Sequence, residues 1–326
     1  MSEIKYIRVI RESGGLGDSV RILSICQGFR IKYPNARIHY FGAGYLRHLF
    51  FDRSNAFDVF FPCEVNSRPR DCYDFSYTHL NPIGIKYDIT VDGWCPAYLH
   101  EPATDGVCCQ DRNELWCLNA KVPVTRPKIN LLPCDLAVKD KYKKQYRKIV
   151  GIQPGATCPS REWPYKHWNE LIKRLVKDGV HVILFDVCRR TQGEIDYSIL
   201  EPSIDDNWPN TLGRLAACDL MITPDSGFFH LAGCIKTKTL GLFGSTSGQV
   251  ISRPWQLEEY THHYLQLKHD EIDYKKLPKE CKPICYMQWG RGWKGDRYRG
   301  KEKKYCELME QLSVERVHNE VRRLLK

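Results

Sequence analysis

The sequence predicts an α/β protein built from two parallel-sheet domains. Two observations carry that reading. β-type apolar runs alternate with amphipathic helical runs, the order expected of a parallel sheet covered by helices on both faces. The alternation stops once, across a proline-rich and charged stretch at about residues 120–148, and then restarts. A length of 326 residues agrees, since a domain takes about 150 residues.

The elements follow in order. The first strand is expected at residues 4–10, a turn at 11–17, and a helix at 19–33. In that helix Val20, Ile22, Leu23, Cys26 and Phe29 recur at helical spacing, and Pro34 stops it. Further strands are expected at 37–41, 58–61 and 87–91. Pro123, Pro127 and Pro133, followed by VKDKYKKQYRK, mark the domain boundary, set between 135 and 136. Beyond it come a strand at 149–153, a helix at 165–177, a strand at 180–185 and a helix at 211–217. A strand at 220–223, a helix at 228–234 and a strand at 239–243 complete the second domain. The last helix is expected at 314–325, with Ser313 as its cap. Two such domains enclose a cleft in many α/β proteins, with ligands beyond the carboxyl ends of the strands.

Composition excludes several classes. The hydrophobic fraction is 42%, and no stretch approaches the roughly 18 unbroken apolar residues of a spanning helix. Charged residues are 27%, so a collagen-like or disordered chain is excluded as well. The formal charge of +10 favours phosphate- or carboxylate-bearing partners and is too mild to indicate nucleic acid. Fifteen cysteines are scattered and odd in number, behind a start without an apolar signal segment, which predicts a reduced, cytoplasmic protein.

Three motifs carry chemistry. SGGLGDSV, residues 13–20, joins the first strand to a helix, so its glycines bring backbone close to a ligand and the helix end favours an anion. It departs from the dinucleotide fingerprint, reading Gly15-x-Gly17-x-x-Val20, and the second strand ends Tyr40-Phe41-Gly42 with no acid for a ribose diol. Asp18 is either a helix cap or a carboxylate that takes a proton from an acceptor hydroxyl. GIQPGATCPSREWP offers Thr157, Ser160 and Arg161 at a strand end, groups suited to a diphosphate, with a packing loop as the alternative. DLMITPDSGFFHLAG, followed by LFGSTS, places Asp225, Ser226, Gly227, His230 and Gly244 at two consecutive strand ends.

Taken together, these three motifs resemble those of glycosyltransferase family nine, the ADP-heptose heptosyltransferases. The resemblance implies the GT-B architecture, two Rossmann-like domains facing a cleft: residues 1–135 on the acceptor side, 136–305 for the nucleotide sugar, and 306–326 as a helix crossing back to the first domain. It implies that Asp18 is the catalytic base of an inverting transfer, and that Gly17, Thr157, Ser160, Arg161, Asp225, Ser226, Gly227, His230 and Gly244 hold the donor. Arg161 stands where the family usually has lysine, and Phe228-Phe229 replaces a smaller pair.

The resemblance implies an ADP-heptose-like donor, an anionic glycan or protein serine as acceptor, no required cofactor, no nucleic acid, and peripheral contact with the inner face of the membrane. Cys281, Cys285 and Cys306 resemble the cysteine-rich finger of autotransporter heptosyltransferases, where a structural Zn or Fe would sit. Three thiolates are one short of a closed site. Two alternatives stay open: a UDP- or GDP-dependent transferase or epimerase on the same fold, and a non-catalytic binder of anionic polymers. The second rests on residues 286–304, with seven basic and two acidic residues among aromatics.

Overall fold

A computed structural model of the chain describes residues 3–11, 15–50, 53–63, 84–93, 111–156, 161–186, 191, 193–204, 207–244, 246–257, 261–271, 273, 275 and 307–326. They divide into two units, with the break after Asn130 falling a little before the boundary set from the sequence.

In the first unit, β1 (Tyr6–Arg11), β2 (Arg37–Ala43), β3 (Val59–Cys63) and β4 (Ile89–Asp92) form a parallel sheet in the order β3-β2-β1-β4. Side chains alternate across it. Tyr40 packs against Phe50, Phe57 and Phe60 on one face. On the other, Phe41 stacks on Phe61 at 4.6 Å and joins Ile10 and Cys63. The single helix expected at 19–33 is two, Leu16–Arg21 and Leu23–Lys32, joined at Ile22. A further helix, Arg112–Asn119, completes the covering layer and buries Leu115, Trp116 and Cys117.

In the second unit, β5 (Ile149–Ile152), β6 (His181–Asp186), β7 (Glu201–Ile204), β8 (Leu220–Pro224), β9 (Thr239–Phe243) and β10 (His262–Gln266) pair in parallel. Their order is β10-β9-β8-β5-β6-β7. Read from β5 outward in both directions, this is the doubly wound arrangement, whose winding reverses between β5 and β8. Ligands of such sheets sit at that switch point, outside the carboxyl ends of the strands. The core strands β5, β8 and β9 are buried throughout and mostly apolar, as befits strands covered on both faces.

The stretch read as an interdomain linker holds a helix, Pro133–Gln145. Pro133 occupies its first turn, and Asp135 Oδ2 accepts from the Leu132 N–H at 2.7 Å. It packs on the helix Trp208–Ala217 through Gly213, where an added Cβ would come within 2.5 Å of Val138 Cβ.

The terminal helix, Val314–Leu324, is capped by Ser313, whose Oγ accepts from Arg316 N at 3.3 Å. Val317, Val321 and Leu324 lie in one core with Leu171 and Leu175 of the helix Tyr165–Lys177, so it is part of the second unit. The physical reason is its apolar stripe: fully burying each valine contributes about 1.5–3 kcal/mol, and the partner is the equally amphipathic Tyr165–Lys177 helix. His318 to Asp178 at 2.9 Å, and Lys148 Nζ to the Leu325 carbonyl at 2.7 Å, fix its two ends. Among the described residues no helix is long and apolar enough to cross a membrane.

Candidate active site

At the switch point of the second unit, β5 runs into Gln153 and β8 into Asp225 and Ser226. Gln153 N–H continues the ladder to Ile222 O at 3.0 Å, so its side chain emerges beside the end of β8. There Gln153 Oε1 accepts from Ser226 Oγ at 2.5 Å and from Thr223 Oγ1 at 3.0 Å. The two hydroxyls are 2.8 Å apart. Gln153 Nε2 donates to the Gly155 carbonyl, turning the amide the other way towards the loop after β5.

Ser226 sits at the N-cap position of the helix Gly227–Cys234 and makes no side-chain capping bond. Its hydroxyl is committed to Gln153 instead. The first N–H groups of that helix, with the positive end of its dipole, therefore point out of the strand end.

Asp225 is 4% exposed. Its Oδ2 lies 3.4 Å from Arg161 Nη1, an ion pair by distance, yet it makes no hydrogen bond. The same Arg161 nitrogen donates to the Asp225 carbonyl at 3.2 Å. His230 Nε2 is 3.9 Å from Asp225 Oδ1. Glu162, beside Arg161, accepts from Ala156 N at 2.9 Å and from Tyr165 OH at 3.2 Å, anchoring both sides of the loop that starts at Gly155. The fold thus gathers Arg161, Asp225, Ser226, Gly227 and His230, which the sequence places 69 positions apart at most.

Packing roles are visible at two of these places. Phe228 and Phe229 are buried, Phe228 against Phe185 and Phe229 against Phe243 and His262, so the bulky pair fills the sheet's own core. Gly244 meets a packing demand: a Cβ there would meet Met309 Cγ at 2.8 Å and Sδ at 2.9 Å. Thr157 and Ser160 lie outside the described residues, as do Cys281, Cys285 and Cys306 and the basic segment 286–304.

In the first unit, Asp18 is not the helix cap. Gly15 holds that position, and Asp18 stands one turn in, next to Gly17 in the helix Leu16–Arg21. A Cβ on Gly15 would meet nothing within 4 Å, so packing does not demand glycine there. The Asp18 carboxylate takes two guanidinium groups, Arg11 Nη2 on Oδ2 at 2.7 Å and Arg112 Nη1 on Oδ1 at 3.0 Å. Burial by itself would raise its pKa. Arg112, Arg11 and Arg21 outweigh that and hold it well below the usual carboxylate range. Burial in turn lowers the pKa of Arg11, against the pull of Asp18. Arg11 also lies over the ring of Trp116 at 5.8 Å.

Sequence reasoning missed Arg11, Arg112 and Gln153. Arg112 is 94 positions from Asp18, and only the packed helix Arg112–Asn119 brings them together. Gln153 had one signal, a polar residue directly after a wholly apolar strand.

Two parallel doubly wound units in one chain, with carboxylate, hydroxyl and guanidinium groups at a switch point, make up the GT-B architecture. The chain belongs to glycosyltransferase family 9 (heptosyltransferase), whose family model matches residues 113–283, more than half its length. Lipooligosaccharide heptosyltransferase 2 of Haemophilus influenzae is 29% identical over 145 residues, 39% of this chain and 42% of that protein. The match thus spans less than half the length of this curated relative. The structure of E. coli ADP-heptose lps heptosyltransferase II superimposes with a TM-score of 0.66 at 16% identity, covering 99% of this chain and 98% of that one. The iron-containing dodecameric glycosyltransferase TibC of enterotoxigenic E. coli gives a TM-score of 0.62 at 13% identity, covering 99% and 77%. At these identities the structural likeness speaks to fold alone.

Proposed function

We propose that this protein is an inverting glycosyltransferase that moves a heptose from an ADP-heptose-like donor to a hydroxyl of a lipopolysaccharide core sugar or of a protein serine. The observation that carries the reading is the grouping of Arg161, Asp225, Ser226 and the N-terminus of the helix Gly227–Cys234 at the β5/β8 switch point, within the segment the family model matches. Arg161 and the helix N–H groups suit a diphosphate, by charge and by unpaired donors. Asp225 and His230 suit the hydroxyls of the sugar.

In this reading the acceptor oxygen bonds to the anomeric carbon as the bond from that carbon to the diphosphate oxygen breaks on the opposite face. The electron pair leaves with ADP, whose charge Arg161 and the helix end stabilise. The proton passes from the acceptor oxygen to the Asp18 carboxylate. Arg11 and Arg112 keep Asp18 ionised, and so able to accept, but weakly basic. Proton transfer therefore belongs late in the step, when the new bond has made the acceptor oxygen strongly acidic.

No cofactor is required in this scheme. The family resemblance leaves a structural Zn or Fe at Cys281, Cys285 and Cys306 as a separate proposal, which elemental analysis of purified protein tests. Acceptor capture at the inner face of the membrane is part of the same proposal. Calorimetric titration with ADP, UDP and GDP, with and without EDTA, tests the donor. Selective ADP binding indifferent to EDTA is expected, and preference for UDP or GDP, or binding of none, overturns it.

A further inference from the structure

We infer that Gln153 is a positioning residue that sets the polarity of the Ser226 hydroxyl, making Ser226 an acceptor that recognises a sugar hydroxyl of the bound donor and not a phosphate oxygen. The inference rests on the nucleotide-sugar reading above and goes beyond it by assigning the chemistry of one contact.

A count of protons fixes the polarity. Gln153 Oε1 and Ser226 Oγ are 2.5 Å apart, a separation two oxygens keep only with a hydrogen between them. An amide oxygen has none to give, so the hydrogen is that of Ser226. Which end of the amide faces Ser226 is settled by Gly155: its carbonyl can only accept, and it takes Gln153 Nε2. Thr223 Oγ1, 3.0 Å from Gln153 Oε1, 2.8 Å from Ser226 Oγ and 3.1 Å from the Pro224 carbonyl, has acceptors for its own proton and supplies none that Ser226 lacks.

With its one proton spent inside the strand ends, Ser226 retains only lone pairs for a ligand. A diphosphate oxygen, itself only an acceptor at neutral pH, finds no donor there. A sugar hydroxyl does find an acceptor. Asp225, next in the chain, has the same polarity: its buried Oδ2 makes no hydrogen bond and, as a carboxylate, can only accept. The strand end thus separates two kinds of recognition, backbone N–H groups and Arg161 for the diphosphate, and Asp225 with Ser226 for hydroxyls. Gln153 touches neither part of the donor in this scheme and acts through Ser226.

The test compares ADP-heptose with ADP by calorimetry for the wild type, Gln153→Met, Gln153→Glu, Ser226→Ala and the Gln153→Met/Ser226→Ala pair, with a thermal melt of each. Expected is that Gln153→Met weakens ADP-heptose about tenfold, the usual scale of one lost hydrogen bond in a buried site, while ADP stays within about twofold. Ser226→Ala does the same, and the double variant is no worse than either single one. Gln153→Glu keeps an acceptor oxygen facing Ser226. It therefore preserves the ratio of the two affinities even where its charge weakens both, and it carries the test if Gln153→Met does not fold. Equal loss of ADP and ADP-heptose in Gln153→Met, or additive losses in the double variant, overturns the inference and leaves the nucleotide-sugar reading in place. Failure of the wild type to bind either probe overturns that reading, and this inference with it.

Discussion

Arg112 meets Asp18 across 94 positions of sequence, Nη1 to Oδ1 at 3.0 Å, while Arg11 holds the other carboxylate oxygen at 2.7 Å. One carboxylate thus ties the end of β1 to the helix Arg112–Asn119. It also supplies an anion to Arg11, whose side chain is 4% exposed. Asp18→Asn is predicted to cost about 1–3 kcal/mol in chemical denaturation. It is also predicted to lower transfer, per folded molecule, by roughly a hundredfold or more. Full transfer activity in folded Asp18→Asn contradicts the assignment of Asp18 as base.

The pH dependence follows with its sign. Asp18 has a lower pKa in the folded chain than its unfolded value of about 3.9, so its ion pairs stabilise fully above that value and are lost as the pH falls through the folded one. The stability difference between wild type and Asp18→Asn is therefore predicted to be constant from about pH 5 to 7 and to shrink below about pH 4. Melting curves across this range check it. A difference that instead grows on acidification is incompatible with a depressed pKa.

Arg161 supplies the cation beside Asp225, and its guanidinium donates to the Asp225 carbonyl as well. Arg161→Ala is predicted to weaken ADP binding about tenfold or more. Arg161→Lys should recover part of that, since the charge stays and the fork is lost. Titration calorimetry reads both. Unchanged ADP affinity in Arg161→Ala removes this residue from the diphosphate site.

Gly244 separates packing from binding. A Cβ there presses on Met309, so Gly244→Ala is predicted to destabilise by about 1–3 kcal/mol. ADP affinity of the folded variant should be unchanged, because the clash lies on the side of the terminal segment. A fall in ADP affinity with stability intact contradicts this and supports Gly244 in the donor site.

Much of the fold could be read from the chain because buried parallel strands announce themselves as short apolar runs. β5, β8 and β9 are short, mostly apolar runs, and their positions follow from that. The helix Pro133–Gln145 was not legible. Its buried side is thin, chiefly Asp135 and Tyr142, and a first-turn proline among charges reads equally well as a linker. β10 escaped for a related reason, since HHYLQ on a sheet edge is mostly half-buried and lacks a strong apolar signature.

The candidate site divides the same way. Asp18, Arg161, Asp225, Ser226 and His230 stood out because each lies just after a strand among glycines or small residues. What they do to one another was hidden. The Arg112–Asp18 ion pair and the Gln153–Ser226 bond join residues 94 and 73 positions apart, and spacing in sequence carries no trace of them.

The central claim is transfer of heptose from an ADP-linked donor, and the most direct measurement is mass spectrometry of acceptors incubated with the purified protein and ADP-heptose. A lipopolysaccharide core acceptor or a serine-bearing protein is predicted to gain one heptose with ADP released in step, and Asp18→Asn to slow both by roughly a hundredfold or more. Transfer from a UDP- or GDP-sugar with none from ADP-heptose, or release of ADP independent of any acceptor, contradicts it.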